Sequence, residues 1–347
     1  MMSSSEPIIQ VLTPAPCLAD DSILDEAYAW LCKQRRNHGH NNSIWHLRYH
    51  WADLKPKIQQ QLLSGTYQLQ PLQAYCIEGQ LLSSWDAADS LVLKALCLVI
   101  QPLFTIKDFP NCTHLKGGGA VHGAIRRVSE HLGSYQQILK SDVYHYYESI
   151  DHQIVNDMIT PMIACPIIRG LIEQYCQRVE IHNGEYFHQK IGLPKGCPLS
   201  PLIAALYLKP LDEAMVKYGF YIRFMDDWLV LVKTKRQLRR LIKITHRLLS
   251  SLKIKMHPDK TYFGAVKKGF DFLGLHFGEP ARIAEACIKN HREKSALRYA
   301  QGATQSSIEM YKRRWVAWCD GLKACLGSRQ IPIPCYTGCG WRGAQPH

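Results

Sequence analysis

No stretch of this chain is apolar for long enough to cross a bilayer; the longest, residues 91–104, is broken by Lys94. A secretory leader is not expected, because residues 1–6 are polar and lack an apolar centre. Internal repeats and low-complexity tracts are missing, which excludes solenoids and repeat arrays. Gly117-Gly118-Gly119 has the spacing of neither a Walker A loop nor a dinucleotide fingerprint, so it reads as a flexible turn or a phosphate cradle. Acids are scarce: 29 Asp and Glu stand against 42 Lys and Arg, a formal charge of +13. Such an excess draws polyanions by counterion release, without choosing between RNA, DNA and a membrane surface. The 13 cysteines are odd in number and scattered, the pattern of reduced thiols in a cytoplasmic protein. Cys335, Cys339 and His347 make only a weak zinc signal, with no further pair beside them.

What is present is an ordered series of acids. Phe224-Met225-Asp226-Asp227 lies between two β-prone runs, residues 220–223 and 228–232, which predicts a hairpin with paired carboxylates at its turn. Adjacent acids repel unless a cation accompanies them, so a divalent-metal site competes here with a solvated acidic turn. Upstream, residues 138–144 predict a short strand ending at Asp142, followed by Tyr144, Tyr146 and Tyr147. Between these strands, Ile191-Gly192-Leu193-Pro194-Lys195-Gly196-Cys197-Pro198-Leu199-Ser200-Pro201 forms a punctuated loop. It opens an apolar helix predicted over 202–215, with Ser200 as N-cap and Pro201 at the first position.

In this order the motifs resemble the palm of reverse transcriptases, above all bacterial enzymes related to group II intron proteins and retrons, here of a stand-alone type. Met256-His257-Pro258-Asp259-Lys260-Thr261 and residues 269–275 resemble the later palm motifs, so the likeness runs from about Lys116 to Phe277. It implies an α+β right-hand fold. Residues 1–135 would form an N-terminal extension and fingers, 136–278 the palm with part of the fingers between its motifs, and 279–347 a helical thumb and tail. The implied activity is RNA-directed DNA synthesis with two Mg²⁺ ions, Mn²⁺ being the alternative. Mg²⁺ takes oxygen ligands, keeping waters and substrate phosphates beside one or two carboxylates.

The resemblance also assigns residues. Asp142, Val143, Asp226 and Asp227 are the implied metal ligands, and the three acids with Lys260 the catalytic set. Tyr147 is the implied sugar gate, with Tyr144 and Tyr146 as alternatives for a core tyrosine. Val143, Pro194, Lys195, Gly196, Phe224 and Lys116 complete the implied nucleotide pocket. Lys195 stands where many members carry glutamine, so a group that both donates and accepts becomes one that only donates. Ala204-Ala205 stands where Ala-Asn is frequent, and Ser84-Trp85 and Asp89-Ser90 replace an Arg-Pro pair and an Asp-Arg pair. Lys116, with Arg126 and Arg127 on the following helix, is the candidate replacement for the lost cations.

The implied partners are an RNA template, read as a dedicated noncoding RNA, a DNA or RNA primer, and deoxynucleoside triphosphates. A protein partner or a second copy is compatible with the chain; a membrane is not expected. By elimination, with no endonuclease or RNase H domain expected, the setting is phage (antiviral) defence or a domesticated retroelement. Two other classes stay open: a noncatalytic maturase-like RNA-binding scaffold, and template-independent terminal transfer.

Other features carry weaker expectations. Glu148, Asp151, Asp157 and Asp212 are expected to be solvated or capping acids. Lys235, Arg236, Arg239, Arg240, Lys243 and Arg247 fall on one side of a helix whose other side is apolar, a nucleic-acid contact or a solvated face. His38, His40, His46 and His50 read as polar surface or RNA contact. Asn183-Gly184 predicts a hairpin turn, and Ile308, Tyr311, Trp315, Trp318 and Leu322 recur at helical spacing.

Overall fold

The computed structural model describes residues 16–77 and 80–326; the N-terminal lead-in and the C-terminal Cys335, Cys339 and His347 lie outside them. Period-two alternation of apolar residues builds a central antiparallel sheet in the order Phe220–Phe224, Asp227–Val232, Gln137–Ser141, Tyr262–Ala265. Both faces are covered. Leu139, Val230 and Val232 pack with Leu238, Leu241 and Leu249 of the helix Lys235–Ser251. The intervening residues Ile138, Ile222, Leu229 and Leu231 pack with Ile125 and Val128 of the helix Ala120–His131 and Leu322 of the helix Gln305–Ala324. Each such aliphatic burial stabilises the fold by roughly 1.5–3 kcal/mol. Thr234 starts the helix Lys235–Ser251 with a reciprocal capping box to Gln237.

A second sheet runs Gln80–Ser84, Leu72–Ile77, Val179–His182, Glu185–His188. Its last two strands form the hairpin expected at Asn183-Gly184, both in the left-handed region with φ of 52° and 84°. They lie between central-sheet strands in sequence, yet Val179–His182 pairs with the N-terminal Leu72–Ile77, in parallel. That pairing ties the segment after Asp142 to the N-terminal helices Asp21–Gln34, Ile44–Tyr49, Trp51–Ser64 and Ala87–Ile100. A small third sheet, Phe270–Phe272, Leu275–Phe277 and Arg282–Ile283, precedes the helices Glu285–Ala300 and Gln305–Ala324. No helix among the described residues is long and apolar enough to cross a membrane.

The structure refines local expectations at the 202–215 helix and at the triple glycine. The helix predicted over 202–215 is two, Ser200–Tyr207 and Lys209–Met215, because Pro210 has no N–H to continue the first ladder. Ser200 is not an N-cap; its hydroxyl donates to the Pro194 carbonyl at 2.6 Å and meets Tyr175 Oη at 2.5 Å. The triple glycine forms a turn in which two of its positions are sterically restricted. A Cβ on Gly118 would lie 2.7 Å from the Thr113 backbone, and one on Gly119 would lie 2.9 Å from Gly123 Cα. Only glycine allows the loop to close on itself there.

Candidate active site

The register of the central sheet brings the acids together. Ser141 pairs with Trp228, so Asp142 follows directly beside Asp227, and Phe224 pairs with Asp227 across the two-residue turn Met225-Asp226. Alternation then sets Asp142 and Asp227 on the same face of the sheet. Asp142 is buried, and its carboxylate lies near that of Asp226. Burial and the carboxylates of Asp142 and Asp227 push the Asp226 pKa upward. Burial, with Asp142 next to it, pushes Asp227 up to about 6. Three acids are thus crowded where two of them resist ionisation unless positive charge is supplied.

Lys260 supplies part of that charge. Its ammonium donates to Asp142 Oδ2, and that bond raises the lysine's own pKa. The other oxygen, Asp142 Oδ1, is buried with no hydrogen-bond partner among the described residues. A buried carboxylate oxygen without a donor, beside a second carboxylate, fits a divalent cation. Among the described residues no cluster of three or more His, Cys, Asp and Glu forms a cage able to hold an ion alone. Mg²⁺ does not need one, because it completes its shell with water and substrate phosphates.

The turn that carries Asp226 is held from below. Met225 has φ of 56°, a conformation disfavoured for a residue with a side chain. Its N–H donates to His114 Nδ1 at 3.0 Å, and its carbonyl accepts from Arg223 Nη1 at 2.9 Å. His114 Nε2 faces the Pro201 carbonyl at 3.4 Å, joining the turn to the start of the helix Ser200–Tyr207. Burial, then Arg223, pushes His114 down to about 4, so its ring is neutral and accepts at Nδ1. Arg223 is fully buried and binds Asp212 through Nε at 2.7 Å and Nη2 at 2.5 Å, while Tyr221 Oη donates to Asp212 at 2.6 Å. Asp212 is therefore not a solvated acid. A cation inside an apolar strand demands a buried anion, and the sequence does not say which acid supplies it.

The loop that carries Pro194, Lys195 and Gly196 docks against the segment after Asp142. Leu193 N–H donates to the Tyr147 carbonyl and Gly192 N–H to the Ile150 carbonyl, each at 2.7 Å. Pro194 is buried and Gly196 is exposed, with φ of 83°. Lys195 is exposed and pairs with Glu148 Oε1 at 2.5 Å, so Glu148 too has a partner, although an exposed pair adds little stability. Asp151 does cap a helix, accepting from Gln153 and Ile154 N–H.

The tyrosines separate cleanly. Tyr146 is buried and donates to the Ala204 carbonyl at 2.5 Å, whereas Tyr144 is exposed. Tyr147 is half-buried; burial, then Asp226, pushes it up to about 12. Of the three, Tyr147 combines access with nearness to the acids. Tyr147→Val is expected to raise ribonucleotide relative to deoxynucleotide incorporation roughly tenfold or more, ~1.4 kcal/mol of discrimination. Competitive primer extension with both nucleotide pools measures it, and an unchanged ratio removes the gate from Tyr147.

Other residues fall elsewhere. Lys116 is exposed on the glycine loop. Arg127 is committed to the Pro110 carbonyl and Asn111 Oδ1, both at 2.8 Å, whereas Arg126 is exposed, with Cys325 beside it. Val143 is buried and bridges Met256; Phe224 is half-buried, with its ring 6.0 Å from that of His114. Asp89 accepts from Tyr67 Oη and Gln70 N–H, and Ser90 accepts from Arg35, so both are structural.

A family model for reverse transcriptase (RNA-dependent DNA polymerase) matches residues 88–277, more than half of the chain. The chain belongs to the reverse transcriptase family. Protein YkfC of Escherichia coli (strain K12) is 24% identical over 264 residues, 62% of this chain and 69% of YkfC. Group II intron-encoded protein LtrA of Lactococcus lactis subsp. cremoris is 24% identical over 168 residues, covering 46% of this chain and 28% of LtrA. Among solved structures, a chain of a partial Cas6-RT-Cas1--Cas2 complex superposes with a TM-score of 0.45 at 20% identity, over 70% of this chain and 42% of that one.

Proposed function

We propose that this reverse transcriptase chain extends a primer with deoxynucleotides on an RNA template, using divalent cations held by Asp142, Asp226 and Asp227. The observation that carries the reading is the crowded acid cluster around the unpartnered Asp142 Oδ1. A pair of bound Mg²⁺ ions would activate the primer hydroxyl and neutralise charge on the departing pyrophosphate. The chain's own residues do the rest. Asp142 and Asp226 would hold the ions, with Asp227 and the Val143 backbone segment beside them. Lys260, which donates to Asp142 Oδ2, would offer its proton or its charge to the leaving group. Tyr147 walls the sugar pocket. Pro194 and Gly196 shape its floor, Phe224 flanks the turn, and Lys195 and Lys116 offer charge to phosphates. In this reading residues 1–135, 136–278 and 279–347 serve as fingers, palm and thumb.

A scaffold that only binds RNA has no use for three carboxylates that oppose one another, so the catalytic reading is favoured over it. The test is extension of a DNA primer on a defined RNA template, with sequencing of the product. Template-complementary DNA supports the proposal; homopolymer made without template assigns terminal transfer, and no product with either leaves the scaffold. The native template, a dedicated noncoding RNA acting in defence or in a domesticated retroelement, belongs to the same proposal and is tested by sequencing nucleic acid that copurifies from the host.

A further inference from the structure

The outer side of the helix Lys235–Ser251 violates the usual charge rules. Lys235, Arg236, Arg239, Arg240, Lys243 and Arg247 are all exposed, and none has an ion-pair partner among the described residues. The helix carries no acid at all. Solvated helical faces commonly mix signs at i,i+4; here Lys235–Arg239–Lys243–Arg247 repeats one sign at that spacing, which is destabilising. Lys235 and Arg236 also sit in the first turn, where the helix dipole disfavours cations. Arg240 alone has another contact, over the Tyr218 ring at 5.7 Å.

A second observation continues the patch. Lys235 lines an open groove of ≈ 1000 Å³ together with Lys267, Lys268 and Arg282, and among the described residues Glu279 is the one acid on its wall. The last three lysine and arginine side chains are exposed and unpaired among the described residues. Gln137, at the far end of the strand from Asp142, also lines this groove. Five residue steps separate the two, roughly 16 Å at ~3.3 Å per step.

We propose that this helix face and groove form a second nucleic-acid site, which grips the phosphodiester backbone of a segment lying outside the catalytic cleft. The charge is unneutralised among the described residues, and phosphate is the partner chemistry that removes its cost. The site is read by binding, so it stands or falls apart from the polymerase reading.

The test is the full chain carrying Lys235→Gln, Arg239→Gln, Lys243→Gln and Arg247→Gln, exposed changes to a good helix former. Binding of fluorescein-labelled bulk transfer RNA, and separately of a long duplex DNA, is titrated against salt. Extension of a short primer–template duplex and the unfolding midpoint are measured alongside. The expected result is weaker binding by tenfold or more, a salt slope smaller by up to roughly 3, and unchanged extension and midpoint. Loss confined to one nucleic acid names the source and supports the site. Unchanged affinity and slope for both overturn it. Equal loss of short-duplex extension also overturns it, by assigning the face to the primer–template path. Unchanged nucleic-acid binding with an altered oligomeric mass overturns it in favour of a protein contact.

Discussion

Asp226→Asn is expected to slow nucleotide addition by roughly a thousandfold or more, about 4 kcal/mol of transition-state stabilisation. The same change is expected to leave the unfolding midpoint unchanged or to raise it. Asp226 faces two other carboxylates, and burial and those neighbours already oppose its ionisation. Removing one negative charge from such a cluster relieves repulsion. An acid kept for the fold would show the opposite pair of results, lost stability with residual activity. Single-nucleotide incorporation and urea unfolding of one preparation distinguish the two. Asp142→Asn is a harsher variant, because it also releases Lys260 from its partner.

The second large effect concerns stability. Arg223→Met leaves Asp212 buried without its cation and is expected to cost 3–5 kcal/mol, the range for breaking a buried pair from one side. Tyr221 Oη still donates to Asp212, but one neutral donor does not replace a bidentate guanidinium. Arg223→Met combined with Asp212→Leu is expected to recover most of that loss, since an apolar pair of similar volume fills the site without charge. Activity is not expected to recover with it. Arg223 Nη1 also holds the Met225 carbonyl, and the left-handed Met225 aims Asp226. Incorporation by the double variant should stay roughly tenfold or more below wild type, ~1.4 kcal/mol. Full activity in a stable double variant would show that His114 and the strands set the turn alone.

Much of this was legible in the residues. Alternating apolar positions around Asp142 and around Asp226-Asp227 predicted two strands ending in acids, and Asn183-Gly184 predicted its turn. The ordered motifs then named the family, which the match over residues 88–277 confirms. What the sequence hid depended on contacts distant in the chain. Asp212 sits in a helix-forming stretch with the pattern of a surface acid, and only the return of Arg223 beneath it shows otherwise. His114 lies in an irregular loop with no periodicity to mark it, more than a hundred residues from the turn it supports. Gly117-Gly118-Gly119 looked like freedom in one dimension; in three, the Thr113 backbone leaves no room for a side chain at Gly118. Arg127 carried the charge expected of a phosphate ligand, yet it is committed to Pro110 and Asn111.

The most direct measurement is a crystal structure of the chain with Mn²⁺, a primer–template and a nonreactive deoxynucleotide, read by anomalous scattering. The account predicts two manganese peaks roughly 4 Å apart between Asp142 and Asp226, with Lys260 displaced from Asp142 toward the phosphates. A bound nucleotide with no metal at Asp142, and Lys260 still in place upon it, would contradict the account.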